Sequence, residues 1–515
     1  MAFNGCSGRV VHGDGMPVLI DRPPGSRAAT LPITTPPDRA ASASPGSDGP
    51  SGNGAGRAIA VRAEGSRLHL VSRIALFVAA ASTAVVVVMD RQLANQWHVT
   101  GVVVASAAYI AMLAADRKWG GLTIGWVVAA TLAPVVAALG VMPRNGDVWS
   151  YAMYGRMLGI HHVSPWVHAP AAFPHDPFRA LVGGTWANTP SVYGPAFTLV
   201  SGAGAALLGD AVLPTRLFYQ GLAALALGAG GWFVWRYTRS AAAVAFLTVH
   251  PLIVMYLVNA GRNDILVGVA LLAAVLLAAR NRPGAAGAVG AFGALIKLTG
   301  VVGIVALLVT TAVRGSAQAT RRMALAAAGV FGVGYLAAGK TALLAPMQTA
   351  GGRYSSGSPW SLLTSFGLTK PSPHVALALL ATLVLVVIVR HARSSAASAV
   401  AASSGMLTLA ASYTLPGYAA WGLPVAALDH RSRVSRVVAA TGLVLLLTYE
   451  ILRHPFAGPT GAALQTLAGT GGPVLMIALV IALLITRAKP ATKGSTMTVI
   501  RRDRTLVHRD ALAHA

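Results

Sequence analysis

The amino-acid sequence predicts an all-α, polytopic membrane protein, a bundle of about 13–15 membrane helices counted by apolar length, with its long polar loops on the exoplasmic side. Three observations carry this expectation. Of the 515 residues 55% are hydrophobic and the mean hydropathy is +0.63, while only 11% are charged, where an ordinary soluble domain has about 25%. Lys and Arg outnumber Asp and Glu by 40 to 15, and the excess falls in short runs between apolar stretches. That is the topological charge of loops facing an anionic cytoplasmic leaflet, not the continuous footprint of a nucleic-acid binder. The single cysteine, Cys6, lies near the N-terminus, which excludes an internal disulfide and a cysteine metal cluster.

Residues 1–67 are rich in Pro, Gly, Ser, Ala and Arg; they cannot bury enough apolar surface to offset ordering and are expected to form a disordered cytoplasmic tail. A membrane domain over 68–486 and a basic cytoplasmic tail over 487–515 follow. Spans are expected at 68–89, 99–115 and 121–142, with Asp116-Arg-Lys turning in the cytoplasm between the second and third. The third then exits on the far side, just before Asp147. Residues 143–191 form a long polar loop in which His161, His162, Trp166, His168, His175, Asp176, Trp186 and Asn188 are interleaved with prolines, an aromatic content that argues against disorder. The stretch 193–208 dips into the membrane or lies along the exoplasmic interface. This keeps Arg236 with Arg239, Arg280 with Arg282, Arg314 with Arg321 and Arg322, Arg390 with Arg393, Arg431 with Arg436, and Arg487 with Lys489 cytoplasmic. With crossings at 217–235 and 241–258, the turn Asn259-Ala-Gly-Arg-Asn-Asp264 lies on the same side as Asp147.

Residues 284–313 form an apolar run interrupted by Lys297 and longer than the roughly 20 residues one span needs. A straight helix would place the lysine in lipid at a cost of about 2.5–3.5 kcal/mol. Two short helices meeting at Lys297-Leu-Thr-Gly300 lift it to the exoplasmic mouth, and that broken form is expected. Gly284, Gly287, Gly290 and Gly293 suit close helix packing. Spans at 323–338, 375–389, 396–412, 437–452 and 467–486 complete the body, and a second exoplasmic loop over 339–373 carries Arg353. The segment Tyr413-Thr-Leu-Pro-Gly-Tyr-Ala-Ala-Trp421-Gly-Leu-Pro424 is a proline-broken aromatic element, tolerated in a membrane only where it lines a cavity.

Carboxylates are scarce in the membrane body, and one beside a glycine at the mouth of a span, Asp147, is costly unless it is used. Five motifs then occur in order: Asp147-Val-Trp-Ser-Tyr-Ala with Gly155, Tyr193-Gly-Pro-Ala-Phe, Arg262-Asn-Asp264, Ile296-Lys-Leu-Thr, and Leu415-Pro-Gly-Tyr-Ala-Ala-Trp-Gly-Leu-Pro424. Together, over about residues 121–428, the chain resembles the actinobacterial polyprenyl-phosphomannose-dependent α-1,6-mannosyltransferases, multi-span C-type (GT-C) glycosyltransferases that build the mannan core of lipomannan and lipoarabinomannan. The resemblance implies a GT-C-like bundle in the plasma membrane, a polyprenyl-phosphate-sugar donor, a mannan or lipoglycan acceptor, Asp147 as general base and Lys297 near the lipid phosphate. The chain departs from the family pattern at two positions: Arg262 stands where a His is usual, and Gly417 where a Trp is usual.

Such a transfer needs a base on the acceptor hydroxyl, cations on the leaving phosphate and an aromatic surface for sugar rings. Asp147 supplies the base, and Lys297, Arg262 and Arg353 the cations; Tyr151, Tyr193, Asn263, Asp264, Tyr418 and Trp421 are the expected substrate contacts. Plainer roles stand beside these: Asp264 pairing with Arg262 or capping the helix from Ile265, Lys297 snorkelling, the aromatics forming an interfacial belt. No motif implies a metal or cofactor. His161, His162, His168 and His175 lack a constrained ligand spacing, and Asp176 and Asp210 are reserve carboxylates for a divalent ion. No Gly-rich phosphate loop follows a strand, which argues against a nucleotide-sugar donor. The alternatives are an arabinofuranosyl or other pentose donor, a lipid-linked sugar flippase or other transporter, and an inactive scaffold.

Overall fold

A computed structural model describes residues 53–143, 146–351, 353–355 and 357–486. The basic tail 487–515 and residues 1–52 of the N-terminal tail lie outside the described residues. The first helix is continuous over Asn53–Val88, so the chain is already helical within the stretch expected to be tail. The fold described here is that of the unit beginning at Ala58.

Among the described residues every regular element is a helix. Leu68–Val88, Asn95–Trp119, Val212–Thr238, Pro373–His391, Arg433–Arg453 and Pro459–Ile485 are long and apolar enough to cross a bilayer. Ala317–Ala338 with Lys340–Pro346 is a further candidate, bent by 100° at Gly339, whose φ of 84° favours glycine. Shorter apolar helices, Ile124–Gly140, Pro195–Leu208, Asp264–Ala279, Pro283–Ile296, Gly300–Val313 and Ala396–Ala410, complete the bundle. The protein is a polytopic all-α membrane protein, and the expected count of membrane elements is approached only when the short helices are included. Asp264–Ala279 and Ala396–Ala410 are buried along most of their length. Leu207, Leu225, Val333 and Leu336 leave large apolar side chains on the outside, a surface suited to lipid rather than water.

Four local features position the polar groups. Within the expected loop 143–191 lies a regular helix, Asp147–Gly159, with Val148 to Met157 all buried, packed against Pro195–Leu208. Pro195–Leu208 has 14 residues, about 21 Å of helix against a hydrocarbon core of about 30 Å, and is short in the same way as the other short apolar helices of the bundle. Residues 241–258 are not one straight span. Ala241–Thr248 gives way to a π-helical turn, Ile253–Val258, of the kind that interrupts helices near functional sites. The break expected at Lys297 is present: Pro283–Ile296 ends, Lys297 is extended, and Gly300–Val313 begins.

The Tyr-Gly-Pro motif fixes that break from outside. Gly194 N–H donates to the Ile296 carbonyl at 3.0 Å, and Pro195 starts its helix at a position where the missing N–H costs nothing. A Cβ on residue 194 would stand 2.1 Å from the Leu295 carbonyl oxygen, so glycine is required by close approach and not by its dihedral angles. Gly194→Ala is therefore expected to push the two segments apart and destabilise the protein by about 1–3 kcal/mol. The check is the thermal unfolding midpoint in detergent; an unchanged midpoint would show that the contact carries no strain.

Candidate active site

Asp147 opens the helix Asp147–Gly159, where the N-terminal end of the helix dipole favours a carboxylate. Arg262 comes from the turn that follows the π-helical segment, and its Nη2 lies 2.7 Å from Asp147 Oδ2, with the two side chains 7% and 15% exposed. The guanidinium also stands over the Tyr256 ring, 5.6 Å from its centroid. Nε and Nη1 of Arg262 are buried with no hydrogen-bond partner among the described residues, and the same holds for both amide atoms of Asn263. Leaving one buried polar group unsatisfied costs about 1–3 kcal/mol. Two such atoms belong to the arginine that holds Asp147 and two to its neighbour in sequence, Asn263.

A second ion pair lies beyond the first. Lys297 Nζ is 2.7 Å from Asp264 Oδ1, and Trp421 Nε1 donates to the same oxygen at 2.8 Å. The ammonium lies 4.5 Å from the Tyr418 ring centroid and 5.4 Å from that of Trp421, and these two rings stack at 4.4 Å. Asp264 therefore pairs with Lys297 and not with Arg262. Tyr418 and Trp421, expected to meet sugar, form the aromatic seat of the lysine, with Trp421 itself buried.

Tyr151 and Tyr193 belong to an aromatic cluster: Tyr151 meets Tyr193 edge-on at 4.8 Å and Phe197 at 5.0 Å. Burial, then the Asp147 and Asp264 carboxylates, push the Tyr151 phenol well above its ordinary pKa; burial, Tyr151 and Asp147 do the same to Tyr193. Both hydroxyls stay protonated and able to donate. Arg353 stands over Trp186 at 4.8 Å, and its Nη2 donates to Thr189 Oγ1 at 3.3 Å. Arg353 and Asp147 both act on the Tyr413 phenol, which is raised first by burial and then by Asp147 and lowered by the arginine, and this ties Arg353 to the Asp147 neighbourhood.

Asp176 and Asp210, expected as reserve metal carboxylates, instead clamp Arg156. Arg156 Nε is 2.8 Å from both Asp176 oxygens, Nη2 is 2.7 Å from Asp210 Oδ1, and Nη1 donates to the Gly209 carbonyl at 2.7 Å. The physical reason is the burial of Arg156 within Asp147–Gly159, since a buried charge requires partners. His161 joins the knot at 2.7 Å from Asp176. Arg156 was legible only as one more arginine, because nothing in the sequence marks 147–159 as a buried helix.

The two departures from the family pattern meet in space. A Cβ at position 417 would lie 3.0 Å from Arg262 Nη1 and 3.2 Å from its Cδ, so the missing side chain at 417 makes room for the arginine. Residues 58–314 match the MptA_B family, described as alpha-(1->6)-mannopyranosyltransferase, N-terminal domain. The chain belongs to this family. It is a glycosyltransferase of the α-(1→6)-mannosyltransferase class. No curated protein and no solved structure matches it. The matched part of the mannosyltransferase contains Asp147, Tyr151, Tyr193, Arg262, Asn263, Asp264 and Lys297, whereas Arg353, Tyr418 and Trp421 lie beyond it.

Asp176 gives the mannosyltransferase a pH signature. Burial alone would raise its carboxyl, but hydrogen bonds from His161, Arg156 and the Phe178 N–H outweigh it and hold the pKa below the ordinary 3.8. A carboxyl depressed in the folded state contributes stability that is present above 3.8 and lost as pH falls through the lower folded value. The thermal midpoint of Asp176→Asn is thus expected to lie below that of the wild type at pH 7, with the gap closing as pH drops below 3.8. A gap that does not change with pH would remove this assignment.

Proposed function

We propose that the protein transfers mannose from polyprenyl-phosphate-mannose to an α-mannoside of a growing cell-envelope lipoglycan, extending an α-1,6-linked mannan at the exoplasmic face of the plasma membrane. On this reading residues 68–486 are a GT-C-like catalytic domain, and the segments 1–67 and 487–515 are cytoplasmic. The family supplies α-(1→6)-mannosyl transfer. The observation that carries the rest is the sharing of one guanidinium: Arg262 holds Asp147 through Nη2 and keeps Nε and Nη1 for an anion.

The proposed step balances as follows. The acceptor 6-hydroxyl oxygen attacks C1 of the β-linked mannosyl phosphate and the new C1–O bond forms with inversion. The C1–O bond to phosphate breaks with its electron pair leaving on the polyprenyl phosphate, and the hydroxyl proton passes to Asp147. Arg262 offers the departing phosphate its positive charge and an N–H donor not engaged by Asp147, with Lys297 and Arg353 as further cations. Asn263 and the protonated Tyr151 and Tyr193 supply hydrogen bonds to sugar, and Asp264, Tyr418 and Trp421 hold Lys297 in place. A lipid-linked donor suits a site whose surroundings are apolar helices.

The test uses membranes from cells lacking related transferases, supplied with polyprenyl-phospho-mannose and a short α-1,6-mannoside. Wild type is expected to transfer mannose. Asp147→Asn, at equal abundance, is expected to lose about 10²–10⁴-fold in rate, and Arg262→Lys, which keeps charge but loses the fork, about 10²-fold. Full activity in Asp147→Asn would remove it as the base. A wild type that transfers a pentose and no mannose would replace the donor.

A further inference from the structure

A second constellation of titratable groups lies apart from Asp147. Asp90 follows the end of Leu68–Val88, His98 sits in the first turn of Asn95–Trp119, Glu450 lies in the last turn of Arg433–Arg453 and His454 caps it. His98 and Glu450 are fully buried, and Asp90 and His454 are half-buried. One ligand atom each from Asp90, His98 and His454 lie within 4.8 Å of one another.

The hydrogen bonds around the cluster set the tautomers. His98 Nε2 is 2.7 Å from Glu450 Oε2, and the Tyr256 hydroxyl donates to the other Glu450 oxygen. With Nε2–H donating to the carboxylate, the lone pair of His98 is on Nδ1, which faces Asp90 Oδ1 at 3.6 Å. His454 Nδ1 is 3.0 Å from the Glu450 carbonyl oxygen; a carbonyl only accepts, so Nδ1 carries the proton and the lone pair is on Nε2. Each ring thus has one nitrogen occupied as a donor to a carboxylate or a backbone carbonyl, the arrangement that orients metal-binding imidazoles. The arrangement brings a carboxylate and two oriented imidazoles together.

We propose that Asp90, His98 and His454 bind a divalent transition ion of the zinc class, with Glu450 orienting His98. Two imidazoles and a carboxylate suit that class, with a water in the fourth position. Ligands at about 2.0–2.1 Å from a tetrahedral ion lie about 3.3 Å apart, so binding requires the rings, stacked at 3.8 Å and 19° from parallel, to turn about their side-chain torsions until both lone pairs meet at the ion. The ion would staple three chain segments that already meet through the Asn95 Nδ2 to Pro455 carbonyl bond of 2.6 Å. It would also act on the site, because Glu450 holds Tyr256 and Tyr256 underlies Arg262. This inference does not rest on the donor or acceptor proposed above.

The experiment uses tag-free, full-length protein in detergent, stripped with a chelator, dialysed and titrated with Zn²⁺, with metal content measured by mass spectrometry and Co²⁺ as a spectroscopic probe. Wild type is expected to retain one equivalent, to show visible Co²⁺ bands of nitrogen and oxygen ligation, and to unfold at higher temperature with Zn²⁺. Asp90→Asn and His454→Gln, both at half-buried positions, are expected to bind at least tenfold more weakly and to lose the thermal shift, and Glu450→Gln to weaken binding by about 10–100-fold. The variants' own unfolding transitions without metal report whether they fold. Wild type that retains no more metal than the Asp90→Asn/His454→Gln double variant overturns the proposal.

Discussion

The pairing of Arg262 with Asp147 is the constraint on which the rest of the polar interior depends. A guanidinium with only 7% of its side chain exposed in a membrane protein is tolerable only beside a carboxylate that offsets its desolvation. The chain has few carboxylates to distribute, and it sends them to cations in an orderly way: Asp147 to Arg262, Asp264 to Lys297, Asp176 and Asp210 to Arg156. Each pair joins elements distant in sequence, so the charge pairs act as the registers that hold short helices in place where apolar packing alone would let them slide.

Interruptions of helix are the means by which those charges reach one another. Asp147 and Asp264 are the first residues of their helices, Arg262 follows a π-helical turn, Lys297 is the extended residue between two short helices, and Tyr418 and Trp421 lie on the 3₁₀ segment Pro416–Trp421. A membrane interior admits irregular backbone only where protein covers it, and here Asp264–Ala279, Pro283–Ile296 and Pro416–Trp421 pack together. The site is placed where the backbone stops being regular, because only there can several polar side chains converge without long lipid-exposed stems.

Much of this was legible in the sequence wherever a single residue carried a large cost. Lys297 in an apolar run forces a break, and the break is there. The charge parity of loops suggested that 193–208 dips in or lies along the interface, and the helix found there, Pro195–Leu208, is one of the short ones. What escaped was pairing. One sequence does not reveal that Arg262 takes Asp147 while Asp264 takes Lys297, since all four were expected near one another and each pair is separated by many residues. The buried helix Asp147–Gly159 escaped because it faces protein on every side and shows no apolar stripe. The Asp90, His98, Glu450 and His454 group escaped because each member is a lone residue at the end of a different helix, with no spacing to detect.

The arginine at 262 and the glycine at 417 fit one another in space. A Cβ at 417 would stand 3.0 Å from Nη1 and 3.2 Å from Cδ of Arg262, so a side chain there would press on the arginine that reaches Asp147. The gain is a fork: a guanidinium can hold a carboxylate with one nitrogen while presenting two others, which a compact ammonium or a two-nitrogen imidazole cannot do in the same plane. In the proposed reaction this makes one residue answer to both the base and the leaving group. In that proposal the phosphate and Asp147 draw on one guanidinium, so donor and base are linked through a single side chain.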